Sequence, residues 1–491
     1  LLYNVVDQTE NESPSSDPEH RNGRAPTKKS RKPKGTPVKT KPVLAAITML
    51  AVAGALAACT AGGGDGDSTG GGGDASNCTN EINNPDAPVV TLWAWYPNAE
   101  TVVDNFNEAN DDVQVCWTNA GAGGDAYDKF QTAISAGSGA PDVMMVEADR
   151  IATFQAQDAL VDLTDLGYQD VKDNFSAGAW KDVSVGDGVY GAPIDGGPMG
   201  MIYRTDVFEK YGITPPTTWA ELETAAQKVK DAGGPVFASF AANQPATATA
   251  YFYGNGAEPF SYDPADEGEI GINLNSPEIK EVLDYWDGLV DKGLVGTEDQ
   301  FTPEYIAAVI NGDYATYLSA AWAPGYLQGA GVGEGADAGV WATAPMPQWD
   351  PSNPIAINWG GSAFSVSSQA KDPELAAKVA FGVYADQASL DEGWQKQIIF
   401  PLNVGVLDSP EFQDYEVPFF NGQQANKEVY VPAANAYEGM TYTPLGQYYY
   451  SALTKQLAAI IDGSATGSEA ADALQKDVVG YAEEQGFTVT Q

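Results

Sequence analysis

Aromatic rings and planar polar groups are the side chains through which this chain could do chemistry. Trp95 and Tyr96 close one predicted strand, Asp149 and Arg150 follow another, Trp322 stands before Ala-Pro-Gly, and Trp359 stands before Gly360 and Gly361. Asp195, Asn243, Gln244, Tyr448 and Tyr449 complete the set. Aromatic faces pack on the apolar C–H side of a pyranose, while carboxylates, amides and a guanidinium bond hydroxyls in the ring plane. Gly361, with Gly360, would let backbone come close to a ligand. Binding of this kind needs no covalent step. The sole histidine, His20, leaves none from Cys59 onward. That removes Ser-His-Asp and Cys-His catalysis together with the common zinc sites; for a binding protein no catalytic residue, metal or cofactor is expected. The Gly-rich stretch Gly329–Gly339 lacks a phosphate-binding pattern.

Alternating strands and helices must position these groups. The pattern predicts strands over Val89–Tyr96, Val113–Trp117 and Asp142–Val146, with helices over Glu100–Asn110 and Asp125–Ala136. That alternation points to an α/β fold with a mostly parallel sheet, whose ligands bind beyond the carboxyl ends of the strands. Trp95, Tyr96, Asp149 and Arg150 therefore converge on one crevice. Further on, Asp187-Gly188 signals a hairpin, and Ala192–Gly197 cannot be helix interior because Pro193 and two glycines break the ladder. Met199–Tyr203 reads as a buried strand, Thr205–Tyr211 as a helix closed by Gly212, and Thr218–Glu221 as a capping box. Ser276-Pro277-Glu278, Thr302-Pro303-Glu304 and Asp372-Pro373-Glu374 open further helices. Trp219 and Trp286 fall at core spacing within helices.

The chain has 491 residues, which calls for more than one core, and a formal net charge of -42. From Cys59 onward 62 acidic residues face 16 basic ones, a balance that repels nucleic acid and anionic lipid. Residues 1–41 are a basic leader expected to be disordered. The apolar run that follows, within 42–58, is too short to span a bilayer comfortably and suits a signal-peptide core. It ends in Leu56-Ala57-Ala58-Cys59, which resembles a bacterial lipobox and implies acylation of Cys59. Residues 59–87 read as a flexible tether, and Cys78 and Cys116 as a structural disulfide.

The run DGVYGAPIDGGPMGMIYRTDVFEKYGITPPTTWAEL (Asp187–Leu222) resembles the signature of family 1 extracellular solute-binding proteins, the sugar-binding receptors of bacterial ABC importers. Pro141-Asp142-Val143, DYATYLSAAWAPGYL (Asp313–Leu327) and Asn358–Ser362 resemble further segments of that family, and Asp149-Arg150 matches a pair in its maltodextrin-binding members. Trp95-Tyr96-Pro97 departs from those members. The resemblance implies a periplasmic-binding-protein-like fold: two α/β lobes joined by a multi-segment hinge, with the ligand cleft between them. Its expected layout is lobe 1 over 88–195, lobe 2 over 196–357, a return to lobe 1 over 358–425, and C-terminal helices over 426–491 packed mainly on lobe 2. It further implies a carbohydrate ligand and a membrane permease as partner. The charge speaks against nucleic acid, the lipobox places the chain at the outer face of the membrane by lipid alone, and a monomer is the default expectation. Two other readings stay open here: an exported glycoside hydrolase, and a receptor of the same fold for a peptide or polyamine.

Overall fold

The computed structural model describes residues 78–490, apart from Glu267 and Ile398. The leader, the signal core, Cys59 and the tether as far as residue 77 lie outside the described residues. Residues 78–87 are packed rather than tether-like. Cys78 is bridged to Cys116, and Asn80 accepts from Trp117 N at 2.7 Å and donates to Val115 O at 2.9 Å. The folded body thus begins ten residues before Pro88.

Strand β1 (Val89–Trp93), helix α1 (Ala99–Ala109), β2 (Gln114–Thr118), α2 (Gly124–Ala136), β3 (Val143–Glu147) and α3 (Ala148–Gln155) follow one another as the pattern predicts. β1 lies between β2 and β3, parallel to both. Val90, Leu92, Val115, Phe130, Val143 to Val146 and Phe154 fill the core beneath them.

The next labelled strand, β4 (Ala192–Arg204), is a single 13-residue run. The sequence suggests only a short strand over its second half. The first half is extended too, because a returning strand supplies its hydrogen bonds: β8 (Asn358–Val366) pairs antiparallel with β4 at Ala192–Pro198 and with β3 at Val143–Glu147. The second half of β4 pairs antiparallel with β6 (Thr316–Ala320) and β7 (Trp341–Pro345). The sheet is therefore parallel only over β1 to β3, not throughout.

β4 and β8 connect separate cores. Met199 and Met201 belong to a second cluster with Phe208, Trp219, Phe237, Trp286 and Leu318. Its helices include α4 (Trp219–Asp231), α5 (Pro245–Gly254), α6 (Pro277–Asp291), α10 (Gly446–Ile461) and α11 (Gly467–Glu484), while α9 (Pro373–Gly382) belongs to the first lobe. β5 (Ala238–Ser239), α7 (Pro303–Asn311) and α8 (Ala323–Gly329) complete the second lobe. Thr218 caps α4 reciprocally with Glu221, and Ser276 and Thr302 cap α6 and α7. From Phe400 to Ala425 the buried side chains join Ile202, Tyr317 and Trp341 of the second lobe. The return to the first lobe ends near Ile399, not at residue 425, because these apolar side chains cover the other face of β4, β6 and β7.

Candidate functional site

The strands that join the lobes touch backbone to backbone. A Cβ on Gly197 would lie 1.9 Å from the Trp359 carbonyl oxygen. Asn358 Oδ1 accepts from Gly197 N at 2.8 Å, and the register of β8 slips on either side of Gly361. Gly361 has φ 112° and its missing Cβ faces Asp195 O. Its freedom serves the strand crossing, whereas the sequence suggests a ligand contact.

Asp195 belongs to the same crossing. Its Oδ1 accepts from Phe400 N at 2.8 Å, which makes it a strut of the hinge as well as an expected ligand contact. A third link runs from Asp182, which accepts from Tyr437 OH at 2.9 and 3.0 Å and from Met440 N at 3.0 Å.

On the first lobe α3 starts immediately after β3, which leaves Glu147, Asp149 and Arg150 at the strand's carboxyl end. Tyr127 OH donates to Glu147 Oε2 at 3.0 Å and accepts from Glu147 N at 2.9 Å. Trp95 is half-buried and sits edge-on to Tyr127 at 5.7 Å. Tyr96 points the other way. Only 6% exposed, it packs on Phe364 and Tyr384; β1 ends at Trp93, short of the predicted Tyr96, and Trp95 and Tyr96 point to opposite sides of the segment that follows. Arg150 Nε lies 3.5 Å from Asp149 Oδ1, close enough for an ion pair but too far for a hydrogen bond, so both atoms are buried without a hydrogen-bond partner. Its guanidinium lies over Tyr127 at 5.8 Å and Tyr450 at 5.6 Å, and Nη1 donates to Gln447 Oε1 at 2.6 Å.

Tyr450 is thus the tyrosine that joins this group. Tyr448 instead stacks on Tyr481 with centroids 3.7 Å apart and donates to Asp477, and Tyr449 is core, its hydroxyl 2.8 Å from Thr249 Oγ1. Gln447 and Tyr450 are three residues apart on one helix face, so both meet Arg150.

On the second lobe β6 runs into α8 through Trp322, which is half-buried. Trp322 Nε1 donates to Trp359 O at 3.0 Å, and the two indoles meet edge to face at 4.9 Å. Trp359 itself is 8% exposed, so it supports Trp322 more than it offers a face of its own. Phe301, absent from the expected set, is 39% exposed beside Trp322 and Tyr326. Asn243 and Gln244 bond inward. Asn243 Nδ2 donates to Gln300 O at 2.9 Å, and Gln244 Nε2 is 3.3 Å from Asn243 Oδ1. The loop before α7 thus takes up Asn243, and Gln244 bonds its neighbour Asn243.

The two walls share one strand. Ser362 is in register with Glu147, and Trp359 precedes it by three residues, roughly 10 Å of extended chain. The polar group and the aromatic group therefore flank the hinge from opposite lobes. Among the described residues, no three His, Cys, Asp or Glu side chains cluster to hold a metal, and no helix is long and apolar enough to cross a membrane.

Three carboxyls here hold their protons unusually hard. Burial raises Asp195 to about 8, against the backbone N–H groups of Phe400 and Gly196 and helped by the nearby Glu147 charge. Burial, then Asp149, raises Glu147 to about 7, while Tyr127 and Arg150 oppose this. Burial raises Asp182 to about 7 against its bonds from Met440 and Tyr437. In the unfolded chain such groups titrate near ~4, so between there and about 8 the folded state binds more protons. Stability must then fall as pH rises across that window and level off above it. Thermal melts of the wild type are expected to show Tm declining from pH ~5 to ~8.5. Asp195→Asn keeps an acceptor for Phe400 N–H and should flatten the decline; a wild-type Tm independent of pH, or an unchanged slope in the variant, would contradict this assignment.

A family model described as bacterial extracellular solute-binding protein matches residues 101–419. The arabinooligosaccharide-binding protein of Bacillus subtilis (strain 168) is 26% identical over 309 residues, covering 61% of this chain and 69% of that protein. The lactose-binding protein of Rhizobium radiobacter is 26% identical over 373 residues, covering 70% and 83%. Among solved structures, the ABC transporter associated binding protein from B. animalis subsp. lactis Bl-04, in complex with beta-1,6-galactobiose, superposes with a TM-score of 0.69 at 25% identity, covering 83% of this chain and all of that one. The galacto-N-biose/lacto-N-biose I-binding protein of Bifidobacterium longum gives 0.72 at 23% identity, covering 82% and 99%, and shares the two-lobed fold.

Proposed function

The chain belongs to the bacterial extracellular solute-binding proteins, and from that premise we propose that it captures an oligosaccharide between its lobes and delivers it unaltered to the permease of an ABC importer. One observation carries the reading: an aromatic group of half-buried Trp322 and exposed Phe301 and an under-bonded polar group at Asp149 and Arg150 flank the same hinge. Closing the lobes would set a pyranose face on Trp322 and bring its hydroxyls to the carboxylate and guanidinium. Exclusion of water then strengthens each hydrogen bond. Two relatives are named for binding arabinooligosaccharides and lactose, and a third is solved in complex with beta-1,6-galactobiose, which supports a neutral sugar over a peptide or polyamine. They are binding proteins, which supports a receptor that does no catalysis over a hydrolase.

Acylation of Cys59 would hold a monomeric receptor at the outer face of the membrane. Calorimetric titration with arabinooligosaccharides, lactose and β-1,6-galactobiose tests the proposal, with chromatography of the recovered sugar. Saturable binding with the sugar recovered intact is expected. Heatless titrations throughout, or new reducing ends, would overturn it.

A further inference from the structure

Phe301 is one of two large apolar side chains exposed among the described residues, and its φ of 63° places it in the left-handed region that bulky residues avoid. A hydrophobic residue just before a helix cap ordinarily folds back on the fourth residue of that helix, here Ile306. This one turns outward. Its ring lies 6.3 Å from Trp322 at 28°, 5.0 Å from Tyr326 and 6.0 Å from Trp359. At that separation Phe301 and Trp322 are offset rather than face to face, so they offer neighbouring surfaces.

The residue before it is clamped. Asn243 Nδ2 donates to Gln300 O at 2.9 Å, and Gln300 N donates to Asn243 Oδ1 at 3.2 Å. The Gln300 side chain, 6% exposed, reaches down to Ser239 Oγ at 2.5 Å. One amide thus occupies both backbone groups of Gln300 and fixes the direction in which the chain leaves for Phe301. Backbone strain that persists beside a cleft is held there by its surroundings.

We propose that Phe301 is a specificity-determining side chain that adds a second aromatic surface beside Trp322, so that ligands of two or more linked rings are preferred over a single ring. Asn243 is its positioning residue. This rests on the reading of the cleft as a carbohydrate site.

The test is calorimetry of the whole protein with galactose, β-1,6-galactobiose, lactose and arabinotriose, for the wild type, Phe301→Ala, Asn243→Ala and the double variant. Phe301→Ala should weaken disaccharide and trisaccharide binding about tenfold while galactose changes by less than about twofold. Asn243→Ala should cost a similar factor alone and nothing further in the Phe301→Ala background, since a residue that acts through another shows no independent effect. Phe301→Gly relieves the left-handed strain, so its Tm should equal or exceed the wild type's while its affinity falls, which separates loss of the surface from loss of fold. If the wild type binds none of these sugars, the carbohydrate reading fails and this inference falls with it. If it binds them and Phe301→Ala leaves the longer sugars unaffected, or the two losses multiply, the inference alone is overturned.

Discussion

Gly197→Ala is expected to cost about 3 kcal/mol or more in folding stability, at the upper end for a single added methyl group. The new Cβ would sit 1.9 Å from the Trp359 carbonyl oxygen, 2.6 Å from its carbon and 3.3 Å from its nitrogen. All three are backbone atoms of the partner strand, so no rotamer change can make room. β4 and β8 would have to part where Asn358 Oδ1 accepts from Gly197 N, and that bond would be lost with them. Gly196→Ala is the control. Its Cβ would meet Leu402 Cδ2 at 2.5 Å, the end of a flexible side chain that can swing aside. Chemical denaturation of both variants checks the argument. A Gly197→Ala protein within ~0.5 kcal/mol of wild type would show that the crossing is not as tight as described.

Trp322→Ala should cut oligosaccharide affinity at least about 30-fold, the loss of a central aromatic anchor. Trp322 combines partial exposure with an anchored ring, since its N–H is committed to Trp359 O and its edge to the Trp359 indole. A ring so held loses little freedom when a sugar covers it. Trp322→Phe keeps an aromatic face without the N–H, so it should retain most of the affinity if stacking dominates. Trp219→Ala gives the opposite pattern. That side chain is 3% exposed among Tyr251, Tyr285, Trp286 and Trp349, and its removal should lower Tm by opening a core cavity. Calorimetry and thermal melts on the three variants separate the two cases. Unchanged affinity in Trp322→Ala would remove the tryptophan from the site.

Features written in neighbouring residues were legible in the sequence. The capping box at Thr218, the proline-headed helices and the stop at Gly212 each depend on groups within one turn, and each forms. Asp149 and Arg150 end up at the mouth of β3 because the helix begins directly after the strand. The misplacements share a different cause. Tyr448, Tyr449 and Tyr450 differ by one helical step of about 100°, so local sequence cannot say which of them meets Arg150; the packing of α10 between Thr249 and Tyr481 decides it. Trp95 and Tyr96 likewise lie just past β1, where neighbouring side chains part and packing on Tyr127 or on Phe364 and Tyr384 decides each. Asn243 was readable as a polar turn, but its partner Gln300 is 57 residues away. The part Gly361 and Asp195 play where β8 crosses β4 depends on residues far apart in the chain, so the sequence does not show it. Phe301 gave no signal at all, since a phenylalanine before a helix cap predicts burial.

A crystal structure with bound β-1,6-galactobiose, or with whichever oligosaccharide gives heat on titration, tests the central claim most directly. The account predicts an intact sugar at the hinge, one ring lying on Trp322 and hydroxyls within hydrogen-bond distance of Asp149 or Arg150. A sugar bound away from the hinge with Trp322 untouched, or a cleaved product in the cleft, would contradict it.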